Sequence, residues 1–292
     1  MTDDSGKLKA TLIGGVAILL WALLALFTTY AEGLPPFQLL AMTFLVAFVL
    51  SVLLLLRRGR QALALWRQPW PVWLLGVGGL YGYHFFYFVA LGNAPAVEAS
   101  LIAYLWPLLI VIFSAALPGE RLRWFHLAGA VLGLGGAFLL VSKGGQVVFD
   151  RQYLLGYLAA AAGALVWRFG AVPTEVVGGF CGVVALLGFV SHLAFETTVA
   201  PTPGQWLAVL GLGIGPVGAA FFVWDYGTKH GHIQLLGTLS YAAPLLSTLL
   251  LIGFGRAELT WVVGVACLLI VAGAVLASKN LLRWPRGSWR RR

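Results

Sequence analysis

The chain has 292 residues, of which 60% are apolar and only 10% charged. A soluble domain of this size carries about 25% charged residues, so this composition excludes one and points to a membrane. The net charge of +9 reads as a topology signal and as attraction to anionic lipid headgroups; no nucleic-acid partner is expected.

A bilayer core of about 30 Å takes roughly 20 apolar residues per helix, and segments of that length follow one another along the chain. Ten spans are predicted, at about 10–30, 36–56, 70–91, 94–116, 122–142, 153–170, 174–197, 205–227, 233–253 and 260–278. The fold class is therefore an all-α polytopic membrane protein. Residues 1–9 are a cytoplasmic N-terminus, and the first span reads as a retained helix rather than a cleaved signal. It carries Trp21 near its middle. The third span holds Tyr83, His84 and Tyr87, with the two tyrosines one turn apart on one face. The fourth holds Glu98 a turn inside its outer end, then Tyr104, Trp106 and Pro107. The fifth carries Gly129-x-x-x-Gly133, and the third Gly78-x-x-x-Gly82, spacings that permit close helix contact. After a connector at 143–152, the sixth span is short, with Trp167 directly before Arg168. The seventh and tenth hold Cys181 and Cys267, which at these places indicate neither a disulfide nor a metal site. The eighth contains Pro216 and ends on Asp225 and Lys229, an i, i+4 pair. The ninth contains Ser240, Tyr241 and Pro244. Residues 279–292 form a basic tail mixing Trp with Arg, as an interfacial anchor does.

Positive charge falls on alternate connectors. Lys7, Lys9, Arg57, Arg58, Arg60, Arg67, Arg121, Arg123, Arg168, Lys229, Lys279, Arg283, Arg286, Arg290, Arg291 and Arg292 lie on one side. Lys143, Arg151 and Arg256 lie on the other. The positive-inside rule puts both termini in the cytoplasm and supports an even number of spans.

The second half lies on the first when shifted by 137 positions. Tyr104 falls on Tyr241, Pro107-Leu108-Leu109 on Pro244-Leu245-Leu246, Trp124 on Trp261, and Gly136-Ala137 on Gly273-Ala274. Each half (10–142 and 153–278) contains five spans. Five is odd, so the second half enters the membrane from the opposite side. Two inverted five-helix repeats of this kind are characteristic of secondary transporters.

Trp21, Tyr83, His84, Tyr87, Tyr104, Trp106 and Tyr241 lie away from the interfaces where membrane aromatics ordinarily sit. A hydroxyl, imidazole or indole N–H facing lipid there goes unsatisfied, so these groups are expected to face the bundle interior. Either they pack there, or they line a pocket between the halves. An aromatic wall with few charges suits a flat apolar ligand, and also a lipophilic cation. Pro107, Pro216 and Pro244 each remove one helical hydrogen bond, giving a static kink or a hinge. The carbonyls of Ala103 and Ser240, freed by two of these prolines, and the Ser240 hydroxyl are candidate polar contacts. Glu98 is a candidate coupling group, although such carboxylates are more commonly hydrated or paired. With no Gly-x-Ser-x-Gly, no His-Glu-x-x-His and no paired intramembrane carboxylates, no enzyme is expected. No cofactor is indicated either.

Ten spans, two halves and a Pro-Leu-Leu in the fourth span of each half resemble the drug/metabolite transporter superfamily with two EamA-type repeats. Val97-Glu98 followed by Tyr104-Leu105-Trp106-Pro107 is similar to the YddG-type aromatic amino-acid exporters of that superfamily. The resemblance implies export of aromatic and other neutral amino acids across the bacterial inner membrane. Separately, the chain is expected to act as a monomer. The resemblance also implies a central cavity whose candidate lining residues are Trp21, Tyr83, His84, Tyr87, Tyr104, Trp106, Phe221, Ser240 and Tyr241. An exporter of drugs or lipophilic cations is the alternative.

Overall fold

In the computed structural model the described residues are 2–93, 96–116, 122–145 and 173–279, and among them the regular elements are all helical. Seven helices within them are long and apolar enough to cross a membrane, and two shorter apolar helices cover Ser100–Phe113 and Trp261–Ala277. Large apolar side chains such as Leu12, Leu186, Leu207 and Leu268 stand exposed on the outer surface, which lipid would cover. The predicted sixth span, Trp167 and Arg168 with it, and the basic tail lie outside the described residues.

The first three spans are α1 (Thr2–Tyr30), α2 (Pro36–Arg57) and α3 (Trp70–Asn93). Pro36 opens α2 at a position whose N–H has no helical partner anyway. The next two N–H groups, of Phe37 and Gln38, donate to the Glu196 carboxylate at 2.8 and 3.0 Å. His192 holds that carboxylate through Nδ1 at 2.8 Å. A negative group at a helix N-terminus is favourable on both hydrogen-bond and dipole grounds.

The predicted fourth span is two helices, α4 (Ala96–Ala103) and α5 (Trp106–Phe113), with a break at Tyr104 and Leu105. The break comes just before Pro107, which cannot donate and whose ring crowds the carbonyl one turn back. Beyond it, α6 (Trp124–Val141), α7 (Val176–Phe195) and α8 (Pro203–Ile214) are regular. A wide π turn at Gly215–Ala219, containing Pro216, joins α8 to α9 (Ala220–His230). The predicted ninth span is likewise broken, into α10 (Ile233–Leu239) and α11 (Ala242–Gly253). Ser240 and Tyr241 form that break, just before Pro244. The last helix is α12 (Trp261–Ala277).

Small residues set the closest helix contacts. α6 packs against α12 with the two chains running oppositely. A Cβ on Gly129 would lie 2.5 Å from the Gly273 carbonyl, and one on Gly136 would lie 2.9 Å from the Ala266 carbonyl. α2 packs against α7 in the same antiparallel sense. A Cβ on Gly178 would meet Ser51 at 2.5 Å, and one on Gly188 would meet the Ala41 nitrogen at 3.2 Å. α1 crosses α9 where Gly14 and Gly227 bring their backbones together, at 2.9 Å from a Gly14 Cβ to the Gly227 Cα. Gly78 differs from these, with no described residue within 4 Å of a Cβ placed on it, so among the described residues Gly78-x-x-x-Gly82 makes no close helix contact.

Candidate functional site

The middle of the bundle is aromatic. Trp21 projects from α1, Trp106 from the first turn of α5, and Phe221 and Trp224 from one face of α9. Trp21 lies edge-on to Trp106 at 5.8 Å between centroids, 6.2 Å from Phe221 and 5.0 Å from Trp224. Trp106 meets Trp224 edge-on at 5.7 Å. The Trp21 indole N–H donates to the Pro216 carbonyl at 3.1 Å. The π turn shifts backbone pairing there, with the Ala220 N–H going to Gly215, and the tryptophan takes up the Pro216 oxygen. An indole N–H at this depth thus has its partner, and the bond fixes the ring's orientation.

A second aromatic group comes from α3. Tyr83 and Tyr87 stack with planes 6° apart and centroids at 6.1 Å, as their one-turn spacing requires. Tyr87 shares a hydrogen bond with Ser100 of α4 at 2.9 Å. The His84 Nδ1–H donates to the Leu80 carbonyl at 2.7 Å. A carbonyl can only accept, so Nδ1 carries a proton. Phe44 of α2 joins the two groups, edge-on to His84 at 5.3 Å and 6.0 Å from Phe221. Tyr104 is half-buried at the α4–α5 break.

Two expected lining residues are placed elsewhere. Tyr241 is fully buried in an apolar cluster with Val111, Ala130, Ala137 and Ile270. Its ring lies over Gly133, where a Cβ would come within 2.5 Å. Its hydroxyl accepts the Leu108 N–H at 3.1 Å. Ser240 is also buried, and its hydroxyl donates to the Leu236 carbonyl at 2.8 Å. The Ser240 carbonyl, expected to be free for a ligand, accepts from Ala243 at 3.0 Å. Both residues serve the helix break in this arrangement. Ala103 is buried as well. Glu98 lies within α4, and its side chain is outside what the structure describes. Pro107, Pro216 and Pro244 are buried, each at or beside a helix irregularity.

Sequence reading missed Trp224 and Phe44. Trp224 stands three residues after Phe221, on the same helix face, a spacing that was available as a signal. Phe44 carried none, being one apolar letter in an apolar span. Asp225 and Lys229 pair at 2.6 Å, and the Thr174 hydroxyl donates to the same carboxylate oxygen at 2.6 Å.

Apolar helices with a lipid-facing exterior, spans broken at prolines and an aromatic centre shared by several of them define a helical membrane protein of the transporter class. The EamA-like transporter family model matches twice, at residues 8–142 and 153–279, and the chain belongs to that family. It is 54% identical over 279 residues to the aromatic amino acid exporter YddG of Ancylobacter novellus, covering 92% of this chain and 97% of that one. It is 27% identical over 289 residues to the protein of the same name from Escherichia coli K12, covering 92% and 96%. A crystal structure superposes with a TM-score of 0.89 at 53% identity, over 94% of this chain and 98% of the other.

Proposed function

We propose that this protein is a secondary transporter that exports aromatic and other neutral amino acids by alternating access. In this reading it has ten spans in two inverted halves, acts as a monomer, and has both termini on the cytoplasmic side of a bacterial inner membrane. One observation carries the mechanism. The 137-position shift converts the closest α6–α12 and α2–α7 contacts into one another's partners within each pair of helices. Gly129 against Gly273 becomes Ala266 against Gly136, and Ser51 against Gly178 becomes Gly188 against Ala41. Contacts that exchange in this way belong to a two-fold relation. The paired helices run oppositely, so the axis lies across them, in the membrane plane, which supports inversion of the halves. Two similar halves around one centre can trade conformations and expose that centre to each side in turn.

The substrate class rests on the aromatic centre and on the relatives named as aromatic amino acid exporters. Trp21, Trp106, Phe221 and Trp224 offer ring faces and edges to a planar apolar side chain. Tyr83, His84, Tyr87 and Tyr104 bring hydroxyl and imidazole groups suited to the polar end of an amino acid, and Glu98 is the candidate for proton coupling. The deciding measurement is flux of labelled phenylalanine, tryptophan and leucine in proteoliposomes, with and without an imposed pH gradient. Saturable, stereoselective movement of the aromatic substrates is expected. Flux equal to that of protein-free liposomes would refute the reading, and a quaternary ammonium compound that is itself carried would favour the drug-exporter alternative.

A further inference from the structure

The α6–α12 and α2–α7 contacts obey the repeat, but among the described residues the broken helices at the centre do not. α5 packs on α10, and a Cβ on Gly237 would lie 2.9 Å from Val111, 3.2 Å from the Pro107 carbonyl and 3.4 Å from Ile110. Under the 137-position shift the image of this pair is α11 on α4. Among the described residues, α4 and α11 make no comparable packing. One hydrogen bond accompanies the closed pair. At the break made by Pro107, the Leu108 N–H donates to the Tyr241 hydroxyl. The image of that bond, from the Leu245 N–H to the Tyr104 hydroxyl, is not formed among the described residues. In the ten-span topology α5 and α10 lie on the side of the chain termini.

We infer that Tyr241 is a latch rather than a substrate residue. Its hydroxyl takes the amide beside the Pro107 break, ties the ninth span to the fourth, and holds the α5–α10 seam shut. It thereby stabilises the state closed on the side of the termini. The inference rests on the alternating-access reading above. The burial of the Tyr241 ring over Gly133 makes the latch stiff, because the ring cannot swing away without leaving its apolar cluster.

The test uses the full chain in lipid nanodiscs, with Cys181 and Cys267 replaced by alanine and Ile110→Cys as the reporter. Ile110 lies in the seam and is 8% exposed, so its modification by a water-soluble maleimide reports opening. Tyr241→Phe keeps the ring and removes only the hydroxyl. It should speed labelling roughly two- to tenfold, the effect of one neutral hydrogen bond on a two-state balance. Gly133→Ala, whose methyl would meet the Tyr241 ring, should speed it as well. Tyr104→Phe removes no bond across the seam and should not. Unchanged labelling in both Tyr241→Phe and Gly133→Ala overturns the latch. So does equal acceleration by Tyr104→Phe, or a lower melting temperature without acceleration, which a merely structural role would give. Phenylalanine flux by the wild-type chain is measured alongside: its absence would sink the exporter reading, while the labelling rates would still decide the latch.

Discussion

Gly129→Ala should loosen the α6–α12 contact. The added methyl would sit 2.5 Å from the Gly273 carbonyl, 3.0 Å from the Ala277 Cβ and 3.1 Å from the Ala277 nitrogen. Two of these are backbone atoms of a regular helix, so no rotamer change relieves the clash. Reaching ordinary contact at about 3.4 Å requires the helices to part by about 0.9 Å, an overpacking that costs about 1–3 kcal/mol. Alanine's better helix propensity returns about 1 kcal/mol, leaving a net loss of about 0–2 kcal/mol. Gly78→Ala is the comparison. No described residue lies within 4 Å of its added methyl, so it is expected to keep the propensity gain without the clash. The gain cancels between the two variants, so they should differ by the overpacking cost of about 1–3 kcal/mol. At about 2–4 °C per kcal/mol for a large domain, their melting temperatures in detergent should separate by on the order of 5 °C. Coincident melting, or Gly129→Ala melting above wild type, would refute the backbone-limited contact and weaken the case for a rigid two-fold scaffold.

Other expectations follow from the same contacts. Trp106→Ala removes two edge-on ring contacts and should cut phenylalanine flux at least tenfold, read as initial rates in proteoliposomes; Trp106, Tyr83 and Tyr104 replaced together without effect would remove the aromatic-centre claim. Trp21→Phe keeps a ring but leaves the Pro216 carbonyl without its donor, so about 1 kcal/mol of stability should be lost, seen as a lower melting temperature and a higher apparent KM. Glu196→Gln removes the charge at the start of α2 and one acceptor oxygen, and should destabilise by about 1–3 kcal/mol in thermal unfolding. An equally stable Glu196→Gln would mean that the helix end is satisfied by other groups.

Several features were legible in the residues before any coordinates. Trp21, Trp106 and Phe221 were singled out, the first two because an indole N–H away from the membrane interfaces must find a partner inside, and the structure brings their rings together. Both broken spans were signalled by Pro107 and Pro244, although the prediction drew them as continuous kinked helices. Tyr241 was read as a lining residue on the same ground as Tyr104. Depth along a helix is visible in sequence, but the direction of the side chain around it is not, and Tyr241 turns toward Gly133. Glu196 falls at the very end of the predicted seventh span and drew no reading. Only the packing of α7 on α2 brings its carboxylate to the Phe37 and Gln38 amides.

Composition, the length of the apolar runs and the 137-position repeat were enough to establish a membrane protein and to suggest two related halves, because the bilayer demands long apolar helices whatever their neighbours. Which rings meet, which hydroxyl bridges a break and which small residues touch were decided by tertiary packing alone. In a chain that is apolar nearly everywhere, hydropathy does not distinguish the face turned to lipid from the face turned to another helix, and those contacts join residues more than a hundred positions apart.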